Sequence, residues 1–317
     1  MSLEILIFTI FNGVLYGMFL FMLSCGLTLI FGMMGVLNFA HASFFMLGAY
    51  FAYQISSFIG YWPALLIAPI LVAILGGLIE KYALRGIHKY GHVAELLFTF
   101  GLFYIFEELV QMIWGKAPVA YEVPDILNFP LIEFSGISYP AYSIFRLLLS
   151  VLIFIMLYRI LTKTKTGLII KASLSHPNMV SALGHDVPKV FTYVFGFGCG
   201  LAGIAGVLAG NVIGTEPSMA LLLGPIVFVV IVVGGLGSLK GALFSSLLIG
   251  MIQTIAISLE FSLNDIFNIM GYDVDIESKI NSLTQITISQ LAPIVPYLLL
   301  IIVLIARPRG LFGDRDV

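Results

Sequence analysis

Few residues in this chain have the types and spacing to do chemistry. The glycine-rich run GGLGSLKG, Gly234 to Gly241, invites comparison with a loop that cradles phosphate on backbone N–H groups. That chemistry requires G-x-x-x-x-G-K-[ST] and a following soluble helix, whereas Lys240 is followed by Gly241 and both flanks are apolar. The chain is therefore not expected to bind or hydrolyse nucleotide by itself. The sequence holds no HExxH, no GxSxG and no His/Asp cluster at ligand spacing, so neither a metal, a cofactor nor an enzymatic reaction is expected. Cys25 and Cys199 stand far apart in apolar stretches without CxxC or Cys/His spacing, which is the pattern of packing residues.

Two further sets of residues can act without catalysing anything. Asn38 and His41 in VLNFAHASF are one helical turn apart, and a polar pair inside a membrane span must face protein or water. They read either as an interhelical hydrogen bond that fixes a helix break or as part of a translocation pathway or its gate. Asn12 and Asn211 are weaker candidates of the same kind. In GFGCGLAGIAGVLAG, small residues recur at i and i+4, pairing Gly196 with Gly200 and Gly206 with Gly210. Such a stripe lets helix backbones approach closely in lipid, where no hydrophobic effect drives helices together.

The elements that must position these residues follow from composition. Of 317 residues, 60% are hydrophobic and 10% charged, against roughly 45–50% and 25% in a soluble domain. The fold class is all-α, a polytopic transmembrane bundle in one domain. Nine crossings are expected at residues 5–32, 37–54, 62–80, 94–114, 143–160, 190–213, 220–236, 241–258 and 288–306. The second, seventh and eighth are interrupted by Gly or polar residues and could be broken or re-entrant, giving eight to ten spans. The N-terminal MSLEILIFTIF has no basic residue before its apolar run and reads as a retained first helix.

Orientation follows from the basic residues. With the N-terminus outside, the cytoplasmic segments hold Lys81, Arg85, Lys89, Arg159, Lys163, Lys165, Lys171, Lys189, Lys240, Arg307, Arg309 and Arg315, 12 of the 15 basic residues. The opposite side keeps Lys116, Arg146 and Lys279 and collects acids such as Glu122, Asp125, Glu216 and Asp265. N-out, C-in is the expectation, with external loops at 115–142 and 259–287 and a cytoplasmic loop at 160–189. Glu107 and Glu108 fall near the outer end of the fourth span. In the cytoplasmic loop, Met179, Val180, Ala182 and Leu183 surround Pro177 and end at Gly184, a short helix with a small apolar surface suited to a partner's groove.

Four segments in order carry a resemblance: GLTLIFGMMGVLNFAHASFFMLGAY (from Gly26), KASLSHPNMVSALGHDVPKV running into FGCGLAGIAGVLAG, VVGGLGSLKGALFSSLLIG (from Val232) and RPRGLFG (from Arg307). Together they closely resemble the permeases of branched-chain amino acid ABC importers, the LivH type, over nearly the whole chain. The resemblance implies a bacterial or archaeal inner-membrane permease subunit without a nucleotide-binding motif of its own. It further implies a second permease, LivM-like or another copy, and two cytoplasmic ATPase subunits that bind ATP and Mg. An extracytoplasmic binding protein would deliver substrate, lipid is the other partner, and no nucleic acid is implied. Urea, short amides and other small solutes are carried by related members. On this analogy Pro177, Met179, Ala182, Leu183 and Gly184 form the element that couples to the ATPase. The chain departs from the family at KASLSH, where an Arg-rich, acid-containing stretch is usual, at Ala42 in NFAHA, and in the long acidic segment from Glu260 to Gln285. The rival class, an ATPase-independent secondary transporter or channel, would place ion-coupling charges inside the spans, and the span centres are almost free of them.

Overall fold

The computed structural model describes residues 3–134, 137–259, 261 and 287–313. Eight helices are long and apolar enough to cross a bilayer: α1 (Leu3–Met34), α2 (His41–Ile59), α3 (Tyr61–His88), α4 (His92–Trp114), α5 (Ala141–Lys163), α8 (Val187–Ile213), α10 (Leu239–Ser258) and α11 (Ile288–Ala306). Between α5 and α8 lie two short helices, α6 (Lys165–Ser175) and α7 (Pro177–Ala182). A shorter apolar helix, α9 (Met219–Gly234), has 16 residues, roughly 24 Å at 1.5 Å per residue against a hydrocarbon core of about 30 Å. The protein is a polytopic helical membrane protein.

Three boundaries differ from the sequence reading. The second crossing begins at His41, so Asn38 lies in the connection before α2 and not on one helical turn with His41. The third runs past residue 80 through a π-helical turn, Glu80–Leu84, to His88, which puts Lys81 and Arg85 on the helix and not in a loop. The segment 115–142, read as a loop, contains an antiparallel hairpin, β1 (Pro130–Phe134) with β2 (Ile137–Pro140). Most of the other long loop, 260–285, lies outside the described residues, as does Asp265.

Close backbone approach organises the core around α8. A Cβ added at Gly206 would lie 2.0 Å from the Phe45 carbonyl oxygen on α2, and one at Gly196 would lie 2.7 Å from that of Ala73 on α3. Gly200 also faces Ala73, and Gly210 lies against Ala49 and Thr215. Gly198 meets Gly26 of α1, and α1 in turn meets α10 through Gly17 and Gly250. With the hydrophobic effect absent between helices in lipid, these dispersion contacts hold the bundle. Cys25 and Cys199 are free thiols in this packing, both fully buried. By contrast α5 and α11 present Leu152, Met156, Ile302 and Ile305 on the outer surface, a face that in a bilayer meets lipid or a membrane partner.

Candidate functional site

Two helix breaks bring polar groups into the apolar interior. The inner one, on the side of the bundle that carries α6 and α7, begins where α1 ends, and the opposite side is the outer. Gly35 takes φ +65°, a left-handed conformation that glycine adopts without a Cβ penalty, and the chain turns back into the bundle. Asn38, fully buried, accepts the Ala40 N–H on Oδ1 at 3.1 Å, while its carbonyl accepts the His41 N–H at 3.1 Å. These bonds satisfy N–H groups at the start of α2. The His41 ring reaches across to the Leu23 carbonyl, Nε2 to O 3.0 Å, and packs beside Gly26. α2 therefore starts level with a point eight residues, roughly 12 Å, above the end of α1 at Met34. From α4, Thr99 accepts the Phe39 N–H at 3.2 Å. Asn38 Nδ2, His41 Nδ1 and Ser43 Oγ are buried without a protein partner.

The outer break precedes α9. Gly214, at φ +90°, ends α8, and Val119 donates to the Thr215 carbonyl at 2.9 Å. Thr215, Pro217, Met219 and Ala220 are all buried, so this connection sinks into the bundle. Glu216, half-buried, accepts from the Ser218 hydroxyl. Beside the break Tyr142 accepts from Asn211 Nδ2 at 2.8 Å, shares a hydrogen bond with Tyr61 at 2.9 Å and donates to the Leu208 carbonyl at 3.1 Å. Arg146 stacks over the Tyr142 ring at 5.6 Å. An apolar cavity of about 420 Å³ lies between the two breaks, lined among others by Phe39, Phe103, Ala220, Gly224 and Phe228.

At the inner ends of α3 and α4 two carboxylates are buried. Glu80 is held by Arg85 at 3.0 Å and by the Thr192 hydroxyl at 2.5 Å, and Arg85 also donates to the Pro188 carbonyl at 2.8 Å. Glu95 is gripped by His88 and, at 3.2 Å, by His92. Arg85 thus ties α3 to the first turns of α8, the helix entered directly from α7.

α6 and α7 form the cytoplasmic-side segment of the sequence reading, now resolved as two helices. Thr164 caps α6 by accepting the Gly167 N–H at 3.1 Å, and Asp186 caps α8 by accepting the Lys189 N–H at 3.1 Å. Lys189 pairs with the Asp186 carboxylate at 2.9 Å. The side-chain hydrogen bond from Lys189 holds the Asp186 carboxyl below its ordinary pKa. On α7, Val180 is buried against the bundle while Met179 and, just past the helix, Leu183 are 66% and 78% exposed. Ala182 and Gly184 are exposed beside them. The Pro177 side chain lies outside the described residues.

The sequence-predicted residues thus fall into separate places. Asn38 and His41 share the inner break. Asn12, which accepts from the Tyr139 hydroxyl at 3.1 Å, sits eleven residues, roughly 17 Å, farther out along α1 than Leu23 and belongs to the hairpin contact. Asn211 joins the tyrosine cluster, Glu107 is half-buried and Glu108 exposed. Glu80, Glu95 and Glu216 were not singled out as site residues from sequence. For Glu216 a signal existed: GTEPS, with Gly, Pro and an acid, interrupts two apolar runs.

The arrangement, a helical bundle with two interior breaks around an apolar cavity and a short helix with exposed apolar side chains on one side, suits solute passage and holds no catalytic constellation among the described residues. Over residues 9–304 the sequence matches the family described as branched-chain amino acid transport system, permease component. The chain belongs to this family, the membrane-embedded permease component of ABC importers, which work with ATPase and substrate-binding partners. It is 24% identical to the high-affinity branched-chain amino acid transport system permease protein LivH of Salmonella typhimurium, across 97% of this chain and 95% of that one. It is 30% identical to the "Probable branched-chain amino acid transport permease protein LivH" of Methanocaldococcus jannaschii, across 77% and 79%. Identity to BraD of Pseudomonas aeruginosa, also a high-affinity branched-chain amino acid permease, is 24% across 96% and 95%. No solved structure matches the chain.

Proposed function

We propose that this chain is one half of the transmembrane pathway of an importer for branched-chain amino acids in a cell (inner) membrane. It lies N-out and C-in beside a second permease, LivM-like or another copy. Two cytoplasmic ATPase subunits supply ATP and Mg chemistry, and an extracytoplasmic binding protein delivers substrate. Asn38 and His41 stand at the pathway's inner break, where they gate or line the route. Pro177 to Gly184 is the coupling element, moved by the ATPases as the pathway switches between outward and inward access.

One observation carries the reading: α7 buries Val180 against its own bundle and leaves Met179 and Leu183 uncovered on the outer side. Large apolar side chains exposed on a short helix next to polar capped turns are a docking surface for a groove, and the family supplies the partner. The segment also feeds straight into α8, on which the bundle is packed, so a push on α7 reaches the helices around both breaks. Loss of one buried anchor at such an interface costs about 2 kcal/mol or more. Leu183→Asp is therefore expected to release the ATPase subunits or to uncouple hydrolysis from uptake, with the permease still folded in the membrane. ATPase co-purification and substrate-stimulated hydrolysis in proteoliposomes measure this. Full uptake with normal stimulation in the variant would remove α7 from the coupling role.

A further inference from the structure

We propose that Glu216 receives the ammonium group of the transported amino acid, with the apolar cavity that begins one turn further along the same chain accommodating its branched side chain. The inference rests on the amino-acid reading above. It starts from charge: Glu216 is half-buried, and among the described residues no Lys, Arg or His pairs with it. A carboxylate drawn partly out of water without a cation is costly unless a cation arrives there. Among the described residues its one hydrogen-bond donor is Ser218, two residues away.

Position narrows what that cation is. Thr215 Oγ1 packs against Gly210, and Ala49 of α2 lies against the same glycine, so Thr215, next to Glu216 in sequence, sits beside the stretch of α2 that carries Tyr50. Tyr50 is nine residues before the outer end of α2 at Ile59, roughly 13 Å along the helix. Glu216 itself lies in a connection whose flanking residues, Thr215 and Pro217, are both buried. The Tyr50 hydroxyl and Thr215 Oγ1 are both fully buried, and neither has a hydrogen-bond partner among the described residues. A carboxylate and unsatisfied hydroxyl oxygens in its neighbourhood are acceptors of the kind that a primary ammonium group, with three N–H donors, requires. Just past Glu216, Ala220, Leu221, Gly224 and Phe228 line the cavity of about 420 Å³, ample for an aliphatic side chain and without a charged lining residue. The bland alternative is that Glu216 only complements the positive end of α9.

The test uses the complete transporter with its binding protein in proteoliposomes and radiolabelled L-leucine. Glu216→Gln keeps the shape and removes the charge, so leucine uptake is expected to fall about tenfold or more, the loss of one charge-assisted hydrogen bond. The receptor concentration giving half-maximal ATPase stimulation should stay unchanged. Tyr50→Phe, which removes only a hydroxyl, should lower uptake less and in the same way, and provides a second reading should the first variant fold poorly. Wild-type uptake rates in Glu216→Gln would overturn the inference, assigning the residue to helix-end electrostatics alone. A parallel shift in receptor half-saturation would overturn it in favour of receptor docking. Absence of leucine uptake by the wild-type complex would instead overturn the amino-acid reading itself, and the inference with it.

Discussion

Glu80 and Glu95 at the inner ends of α3 and α4 contrast with Glu216 at the outer break. The first two are almost wholly removed from solvent, and each is met by cationic or hydrogen-bonding partners on fixed helices: Arg85 and Thr192 for Glu80, His88 and His92 for Glu95. Glu216 is less buried yet, among the described residues, is met only by a neighbouring serine. A buried charge that is fully engaged specifies how elements fit together, and removing its partner exposes the desolvation cost. A charge left partly unanswered is a place where something else binds. The same side chain therefore acts as a fastening on one side of the bundle and as a receptor on the other.

That contrast breaks first, and most severely, at Arg85. Arg85→Ala leaves the Glu80 carboxylate buried with only Thr192 to hold it and cuts the link from α3 to the Pro188 carbonyl. Because Arg85 is itself 38% exposed, the loss is expected to be about 2–3 kcal/mol, below that of a fully buried pair. Thermal unfolding of the detergent-solubilised complex reads it. Combining Arg85→Ala with Glu80→Gln should recover a substantial part of that loss, since an amide pays a smaller burial cost than a carboxylate. No recovery would mean that Arg85 acts through packing and not through charge.

A smaller effect is expected at the inner break. Asn38→Leu removes the side-chain acceptor for the Ala40 N–H in the turn before α2, and loss of one such buried hydrogen bond costs about 1 kcal/mol. Its consequence for uptake should exceed its consequence for stability, because an apolar side chain can neither satisfy the break nor line a wet path. Uptake per unit of folded transporter, with ATPase co-purification as the control for assembly, measures the difference. Normal uptake would reduce Asn38 to a structural turn residue, like the fastening residues at Glu80.

How much of this was legible in the sequence depends on the period of the signal. The spans were legible because apolar runs of about 20 residues in lipid leave few alternatives to a helix. All nine expected crossings correspond to helices, with α9 short. The start of α2 was not legible to the residue, because VLNFAHASF is apolar enough to continue a helix, and the break is set by Gly35 turning left-handed and by Asn38 bonding locally. Glu80 and Glu95 fell at the ends of the third and fourth expected crossings, on either side of a basic stretch, where a carboxylate reads as solvated. Their partners Thr192 and Pro188 are more than a hundred residues away in sequence from Glu80 and Arg85, a pairing that no local pattern encodes. Glu216 counted only as one of the external acids, since the burial of its neighbour Thr215 against Gly210 is a tertiary contact that no local pattern shows.

The smallest expected effect lies at Asp186, a carboxylate that is paired yet exposed, and so belongs to neither side of the contrast. Lys189 stabilises the charged form of Asp186 in the folded protein and lowers its pKa. The sign follows: whatever stability the pair contributes is present above the ordinary carboxylate value of about 4 and is lost as pH falls through the depressed folded value. Water and salt screen the pair. Between about pH 7 and pH 5, wild type and Asp186→Asn should therefore lose stability in parallel, because the asparagine oxygen can still cap the Lys189 N–H while the wild-type carboxylate stays ionised. As pH descends through the carboxylate range the wild-type group takes up its proton, the ionic part of its advantage disappears, and the two melting curves should converge. Thermal melts of the pair of proteins across this pH range, at low and high salt, measure it. A difference that widened on acidification would mean that Asp186 is engaged more strongly when protonated, and the assignment of its low pKa to Lys189 would fall.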